Sequence, residues 1–190
     1  IDPLSLYRDQ SQLTEGVEMS PSLPFLKRPE LLDGSLPGDR GFDPFNFASD
    51  AATLSWYRES EIKHARLAML AAVGFPLAEQ FHPLFNSDDA PSYLAFQQTP
   101  LQTFWPAVVL AISVLETFSV FTFENPAGGE PWAISKDHAP GDLGFDPLGL
   151  KPDNAAELAE LQTKELNNGR LAMIGIAGMV AQELVTGAKI

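Results

Sequence analysis

The feature that most constrains this chain is a repeat. GDRGFDP at 38–44 returns as GDLGFDP at 141–147, an offset of 103 counted from 38 to 141. EIKHARLAM at 61–69 returns as ELNNGRLAM at 165–173, an offset of 104 counted from 61 to 165. Two separate blocks that share nearly one offset are a duplicated unit, a loop followed by a helix. Two copies of one helix in one chain are expected to pair about a pseudo-twofold axis, where each residue of one copy meets the other reciprocally.

The stretches between the repeats set the architecture. Residues 52–81 carry a long helical pattern in which Pro76 predicts a kink rather than an end, because apolar residues continue past it. Residues 104–123 hold one charge, Glu116, and match the ~20 residues needed to cross a bilayer. Residues 155–186 give a third helix, with Asp153 or Asn154 near its N-cap. The segment 1–51 is rich in Pro, Gly and Asp and predicts an extended chain without regular structure. Residues 82–103 and 124–153 read as loops.

The expected fold is all-α, with a single domain over 1–190. Three transmembrane helices are predicted, the first and third crossing as a pseudo-twofold pair, with room for short amphipathic helices in the loops. Hydropathy alone leaves the two outer helices open, as membrane spans or as amphipathic helices of a soluble bundle. Basic residues favour the spans. Lys27, Arg28, Arg40 and Arg58 lie in or near the N-terminal segment and Lys136 and Lys151 in the second loop, while 82–103 has neither Lys nor Arg. Alternation of this kind puts the N-terminus on the cytoplasm-like face and the C-terminus opposite.

Composition narrows the function. A net charge of −13 argues against nucleic acid, whose phosphates need clustered Lys and Arg. The absence of cysteine excludes disulfides, zinc-thiolate sites and iron–sulfur clusters. No Ser-His-Asp spacing and no Gly-rich phosphate loop occur, so no enzyme is expected.

The repeated charges then have to be satisfied. On a helix wheel Glu61 and His64 lie about 60° apart, whereas Arg66 lies about 140° from Glu61. Arg66 therefore points away from the carboxylate of its own helix, and Arg170 from Glu165. Lone charges of this kind are costly in an apolar setting. Reciprocal pairing, Arg66 with Glu165 and Arg170 with Glu61, answers both. Close crossing needs small residues, and Ala65, Ala68, Ala72 and Gly74 face Gly169, Ala172, Gly175 and Gly178 as candidates for the seam. Each carboxylate would keep one oxygen spare. Glu165, Asn168 and Gln182 form one stripe of the third helix, and Glu61 and His64 one face of the first. Such single, separated donors do not cage a bare Mg²⁺ or Ca²⁺, which wants six or more oxygens. They suit a metal already held by a macrocycle and lacking one axial ligand, as in a chlorophyll.

These residues are familiar. EIKHARLAML, KELNNGRLAMIGIAGMVAQ and the paired GD-x-GFDP blocks resemble the chlorophyll-binding light-harvesting antenna superfamily, over roughly 21–186. LPFLKRPELLDGSLPGDRGFDP and GDLGFDPLGL are similar to its red-lineage branch, the fucoxanthin chlorophyll a/c proteins and red-algal photosystem I antennae. The resemblance implies Glu61, His64, Glu116, Glu165, Asn168 and Gln182 as axial ligands to chlorophyll magnesium, and Arg66 and Arg170 as the interhelical ion pairs. It implies that Gly41, Phe42, Asp43 and Pro44, with Gly144, Phe145, Asp146 and Pro147, hold the ends of two carotenoids. A backbone carbonyl near Pro24–Leu26 is a further ligand candidate. The implied cofactors are chlorophyll a, chlorophyll c and carotenoids such as fucoxanthin. The implied partners are photosystem core subunits, photosystem I foremost, neighbouring antennae and thylakoid lipids. The implied place is the plastid thylakoid membrane, N-terminus stromal and C-terminus lumenal. Val108 and Val109 stand where green relatives have a polar middle-helix position, so no ligand is expected there.

Other readings remain at this stage. A photoprotective relative would share every motif and quench excitation instead of passing it on. Glu-x-x-His is also a di-iron signature of ferritin-like bundles, but the second copy here reads Glu165-Leu166-Asn167-Asn168. His82 and His138, in loops, are expected to be solvated or interfacial, and Gln102 is ambiguous.

Overall fold

The computed structural model describes residues 18–80, 91–97, 101–120, 138–144 and 146–190. Helix α1 is Ala51–Gln80, α2 is Leu101–Val120 and α3 is Ala155–Thr186, with a short 3-10 helix, Ser92–Gln97, between the first two. Among the described residues there is no strand, only an isolated antiparallel bridge between Met19 and Lys27.

Local chemistry sets these limits. Asp50 begins α1, accepting from the Thr53 amide at 2.8 Å and the Thr53 hydroxyl at 3.0 Å. Asn154 begins α3 by accepting from the Ala156 amide at 3.0 Å. These two caps are repeat counterparts. Gly187 ends α3 in the left-handed conformation, φ 65°, with its amide on the Glu183 carbonyl at 2.8 Å. α1 runs four residues past Pro76. The range 155–186 is as expected, and 52–81 is displaced by one residue. The middle helix starts three residues before the expected 104, and 121–123 lie outside the described residues.

α1 and α3 cross at Ala65 and Gly169, both buried. A Cβ on Gly169 would stand 2.2 Å from that of Ala65, so the backbones touch there. The seam is shorter than the small residues suggested. Gly74, Gly175 and Gly178 have open space around them, because the helices diverge from the crossing. The loops close over it. Gly38, at φ 69°, approaches Leu166, and Gly141, at φ 79°, approaches Ile62, so closely that a Cβ would clash in both. Glycine is required there twice over, by conformation and by space.

α2 stands apart. Among the described residues none of its Cα atoms lies within 8 Å of one in α1 or α3, although it comes that near the 3-10 helix. Two carboxylates hold the 3-10 helix to the pair. Glu79 accepts from the Ser92 hydroxyl at 3.1 Å, and the buried Glu183 accepts from the Tyr93 amide at 3.0 Å. Glu79 and Glu183 are again repeat counterparts. Among the described residues the buried apolar ones are Leu32, Ala48, Ala65, Ala68 and Leu166.

Among the described residues no helix is long and apolar enough to cross a membrane. The sequence reading took 104–123 as such a span. The polar positions of α2 are Gln102, Thr103, Ser113, Glu116, Thr117 and Ser119, set in an otherwise apolar run. Two of these polar groups are satisfied within the helix. Ser113 donates to the Val109 carbonyl and Thr117 to that of Ser113, each at 2.7 Å.

Candidate functional site

The two ion pairs lie either side of the crossing. Arg66 Nε donates to Glu165 Oε1 at 2.7 Å, and Arg170 Nε to Glu61 Oε1 at 2.8 Å. This is the reciprocal pairing the helix wheel requires. Arg170 also donates to the Gly38 carbonyl at 2.9 Å, which ties the first loop to the third helix.

The pairs are not equivalent. Arg58 adds a second bond to Glu61, at Oε2, 3.0 Å away. The spare oxygen expected on Glu61 is therefore engaged. A carboxylate has about four lone-pair sites, so each oxygen still keeps one. Glu165 accepts from Arg66 through Oε1, and among the described residues no hydrogen bond reaches its Oε2. The counterpart of Arg58 is Gln162.

The donor set fits a tetrapyrrole metal. The His64 ring Nδ1 lies 2.8 Å from the Ser60 carbonyl, so Nδ1 carries the proton and Nε2 is left as an outward lone pair. His64, Asn168 and Gln182 are all exposed, and the open Gly175 lies between the last two along the stripe. Flat apolar flanks surround them. Leu67, Leu70, Val73 and Leu77 on α1 and Leu171 and Ile174 on α3 are all exposed. Among the described residues, no three His, Asp or Glu gather as ligands of a bare ion. Each donor offers one bond from one side, as an axial ligand does.

Two cavities flank the pairs. One of about 460 Å³ touches Phe42, Tyr57, Glu61 and Arg170, and one of about 590 Å³ touches Ile62, Arg66, Leu158 and Glu165. Both are within the range of small-molecule sites.

The GFDP loops repeat in geometry as well as in sequence. Asp43 accepts from the amides of Phe47 and Ala48, both at 3.0 Å. Asp146 accepts from those of Leu150 at 3.0 Å and Lys151 at 2.9 Å. Asn46, at φ 53°, and its counterpart Gly149, at φ 63°, make the same left-handed turn. Gly41 is buried while Phe42 and Pro44 are exposed, and Gly144, Asp146 and Pro147 are exposed. Phe145 lies outside the described residues. The Lys151 and Leu150 amides hold the Asp146 carboxyl below the ordinary carboxylate value. The Lys151 ammonium, 2.6 Å from Asp142, lowers that carboxyl too. Near Pro24–Leu26, the Leu26 carbonyl is taken by the Ser20 amide at 3.0 Å.

Two side chains take partners that the sequence left open. The His138 side chain, expected to be solvated or interfacial, is 7% exposed and lies at the interface of the second loop with α1, with Nε2 3.0 Å from Glu59 Oε2, which also accepts from the Gly141 amide at 2.7 Å. Glu116, implied as a ligand with an interhelical hydrogen-bond partner as the alternative, receives the Lys63 ammonium from α1. Sequence reasoning had assigned neither Glu59 nor Lys63 a role. Lys63 is the one lysine inside α1, which was a signal, and Glu59 has a counterpart, Thr163, whose hydroxyl receives the Gly38 amide at 3.0 Å. His82 and Lys136 lie outside the described residues, and Gln102 is exposed in α2.

Two helices of one repeat, clasped by mirrored Arg–Glu pairs with single donors on their bare flanks, define a class of pigment scaffold. Residues 28–184 match the family described as Chlorophyll A-B binding protein, and the chain belongs to it. The light-harvesting complex stress-related protein 1, chloroplastic, of Chlamydomonas reinhardtii is 49% identical over 163 residues, 81% of this chain and 64% of that protein. A fucoxanthin-chlorophyll a-c binding protein, chloroplastic, of Isochrysis galbana is 44% identical over 154 residues, 77% of this chain and 73% of that protein. A chlorophyll a-b binding protein, chloroplastic, of Petunia hybrida is 35% identical over 170 residues, 84% and 63% of the respective chains. The fucoxanthin relatives support the red-lineage resemblance. This chain spans somewhat under two thirds of the length of the stress-related relatives.

Proposed function

We propose that the protein is a light-harvesting antenna subunit of the plastid thylakoid membrane, a single domain with its N-terminus stromal and its C-terminus lumenal. It binds chlorophyll a, chlorophyll c and carotenoids of the fucoxanthin type, and passes excitation to a photosystem core, photosystem I foremost, beside neighbouring antennae and thylakoid lipids. Its three helices cross the bilayer in the company of pigment, which covers their polar groups. It catalyses no reaction.

Chlorophyll, when bound, supplies light absorption and energy transfer. The chain supplies position. Glu61, His64, Glu116, Glu165, Asn168 and Gln182 would each offer one lone pair to the chlorophyll magnesium. Arg66 and Arg170 fix the two carboxylates and neutralise them. The loops Gly41–Pro44 and Gly144–Pro147 seat carotenoid ends, and the aliphatic flanks exclude water. The observation that carries this reading is the mirrored Arg66–Glu165 and Arg170–Glu61 clasp, with outward donors one turn away on each helix.

The test is reconstitution with plant or algal pigment extract, followed by solvent extraction and chromatography. Wild type should retain chlorophyll and carotenoid together. Gln182→Leu should lose about one chlorophyll per chain with assembly intact. A colourless wild-type product, or a full complement in both Gln182→Leu and His64→Leu, overturns the reading.

The stress-related relatives, at 48–49% identity, favour a second reading of the same site. There the bound pigments dissipate excitation instead of passing it on. The fluorescence lifetime of the isolated complex separates the two, being long for a harvester and short for a quencher.

A further inference from the structure

The two cavities beside the clasp are themselves counterparts in the repeat. Leu54, Arg58 and Glu61 line the first, and Leu158, Gln162 and Glu165, each 104 residues further on, line the second. Their polarity differs. Arg40 lines the first where its counterpart, Leu143, lines the second. In the second, Leu36, Ile62, Leu158 and Leu166 add aliphatic walls around about 590 Å³. The charged side chains that line it all have partners: Arg66 with Glu165 at 2.7 Å, Lys151 with Asp142 at 2.6 Å, and Arg58 with Glu61 at 3.0 Å.

Gln162 is the exception. Its side chain is half-buried, and among the described residues no hydrogen bond reaches its amide. The repeat accounts for this. At the same place in α1, the charge of Arg58 draws it onto Glu61, one turn on. A neutral amide has no such pull toward Glu165. The second cavity therefore offers aliphatic carbon and one free group that both donates and accepts. Sites of this make-up hold an apolar body, and their few polar groups choose among bodies of one shape. Gly141, Asp142 and Leu143 of the second GD-x-GFDP block line the same cavity, which joins it to the loop read above as a seat for a carotenoid end.

We propose that Gln162 is a specificity-determining residue for the carotenoid at the second loop, its amide bonding an oxygen on the end ring so that this cavity takes an oxygenated carotenoid in preference to a hydrocarbon one; this rests on the pigment-binding reading above. A hydroxyl can give or receive a hydrogen bond there, and a keto or epoxide oxygen can receive one. A hydrocarbon ring fits the same walls but leaves the amide without a partner, which is how a site rejects an analogue lacking a polar group. One neutral hydrogen bond corresponds to roughly threefold to tenfold in affinity. Gln162 touches no magnesium, so chlorophyll binding does not depend on it.

The test uses zeaxanthin and β-carotene, which differ only in their ring hydroxyls. The full chain is reconstituted with chlorophyll and an equal mixture of the two, and the bound pigments are extracted and separated by chromatography. Wild type should take zeaxanthin in excess. Gln162→Met keeps the length of the side chain and removes its hydrogen bond. In that variant β-carotene bound per chain should rise about threefold, with chlorophyll and total carotenoid per chain unchanged. An unchanged carotenoid ratio in Gln162→Met overturns the inference, as does equal uptake of the two carotenoids by wild type. Loss of a chlorophyll from Gln162→Met with the carotenoid ratio unchanged also overturns it, since Gln162 would then be a magnesium ligand. If Gln162→Met fails to assemble, Gln162→Ala decides by the same ratio. Failure of both variants to assemble would show that Gln162 braces the helices, and overturns the inference too. Wild type that binds chlorophyll and no carotenoid at all is a different result, a failure of the underlying reading.

Discussion

The two copies of the repeat are alike where they touch each other and unlike where they touch something else. Glu61 and Glu165, Arg66 and Arg170, Asp43 and Asp146, Asp50 and Asn154, and Glu79 and Glu183 hold equivalent places. Each serves the clasp, a loop turn or a helix end. Some charges belong to the first copy alone. Arg58, Glu59 and Lys63 correspond to Gln162, Thr163 and Asn167. Arg58 doubles the bond to Glu61, Glu59 gathers His138, and Lys63 reaches the middle helix. The second copy has charges of its own, Glu157, Glu160 and Lys164, where the first has Thr53, Trp56 and Ser60, and it carries an extra donor, Gln182, where the first has Ala78. Duplication therefore preserved what the halves do to one another. It was free to vary what each half does to its own surroundings.

The largest effect is expected at the axis itself. Ala65 and Gly169 are counterparts, so Gly169→Ala would make the seam symmetric. The added methyl would stand 2.2 Å from Ala65 Cβ and 3.0 Å from its Cα, and backbone cannot yield as a side-chain end does. Assembly should fail, or thermal stability should fall by about 1–3 kcal/mol. Gly178→Ala, in open space, should melt as wild type does. Equal melting temperatures for the two variants would show that the crossing is not a steric contact.

The next effect concerns the two clasps. Glu61→Ala leaves Arg58 and Arg170 without their carboxylate, whereas Glu165→Ala strands Arg66 alone. Breaking a buried pair costs about 3–5 kcal/mol. The Arg66 and Glu165 side chains are 39% and 36% exposed, so their loss should fall below that range. Glu61→Ala should therefore reduce the yield of pigmented complex several-fold more than Glu165→Ala. Equal yields would mean that Arg58 contributes nothing and that the halves are electrostatically equivalent.

The smallest effect is set by acid. Asp142 and Asp146 have carboxyls held below their free value, by the Lys151 ammonium and by backbone amides respectively. A lowered folded-state pKa means that the fastening is complete above the free value, about 3.9. It is lost as pH falls through the lower, folded-state values. Protection of the Leu150 and Lys151 amides relative to free amides should be high at pH 6 and be lost only in strong acid, below about pH 4. Rapid exchange already at pH 6 would show that the second loop turn is not held by these carboxylates.

The clasp was legible in the sequence because it is written twice. A helix wheel excludes pairing within one helix, and a second copy supplies the partner. α3 was legible to the residue because it carries a cap at Asn154 and a left-handed stop at Gly187. The unrepeated contacts were not legible. Nothing in the order of residues says that Lys63 meets Glu116 or that His138 turns inward to Glu59. Such partners depend on where a long loop returns, which pattern does not encode. The start of α2 was misjudged because Gln102 and Thr103 lack the apolar character by which the span was recognised. The seam was overestimated because small residues mark either close backbones or open space. Gly169 does the first, while Gly175 and Gly178 do the second.

The isolation of the middle helix has a consequence for how such a protein is made. Among the described residues the middle helix leans on its own polypeptide only through the 3-10 helix and Lys63, so bound pigment would complete its packing. What fills the gap must enter while the chain is still closing, and folding free energy becomes binding free energy. The plastid's output of tetrapyrrole would then set how many copies mature, and polypeptide synthesised beyond that supply would be left to proteases.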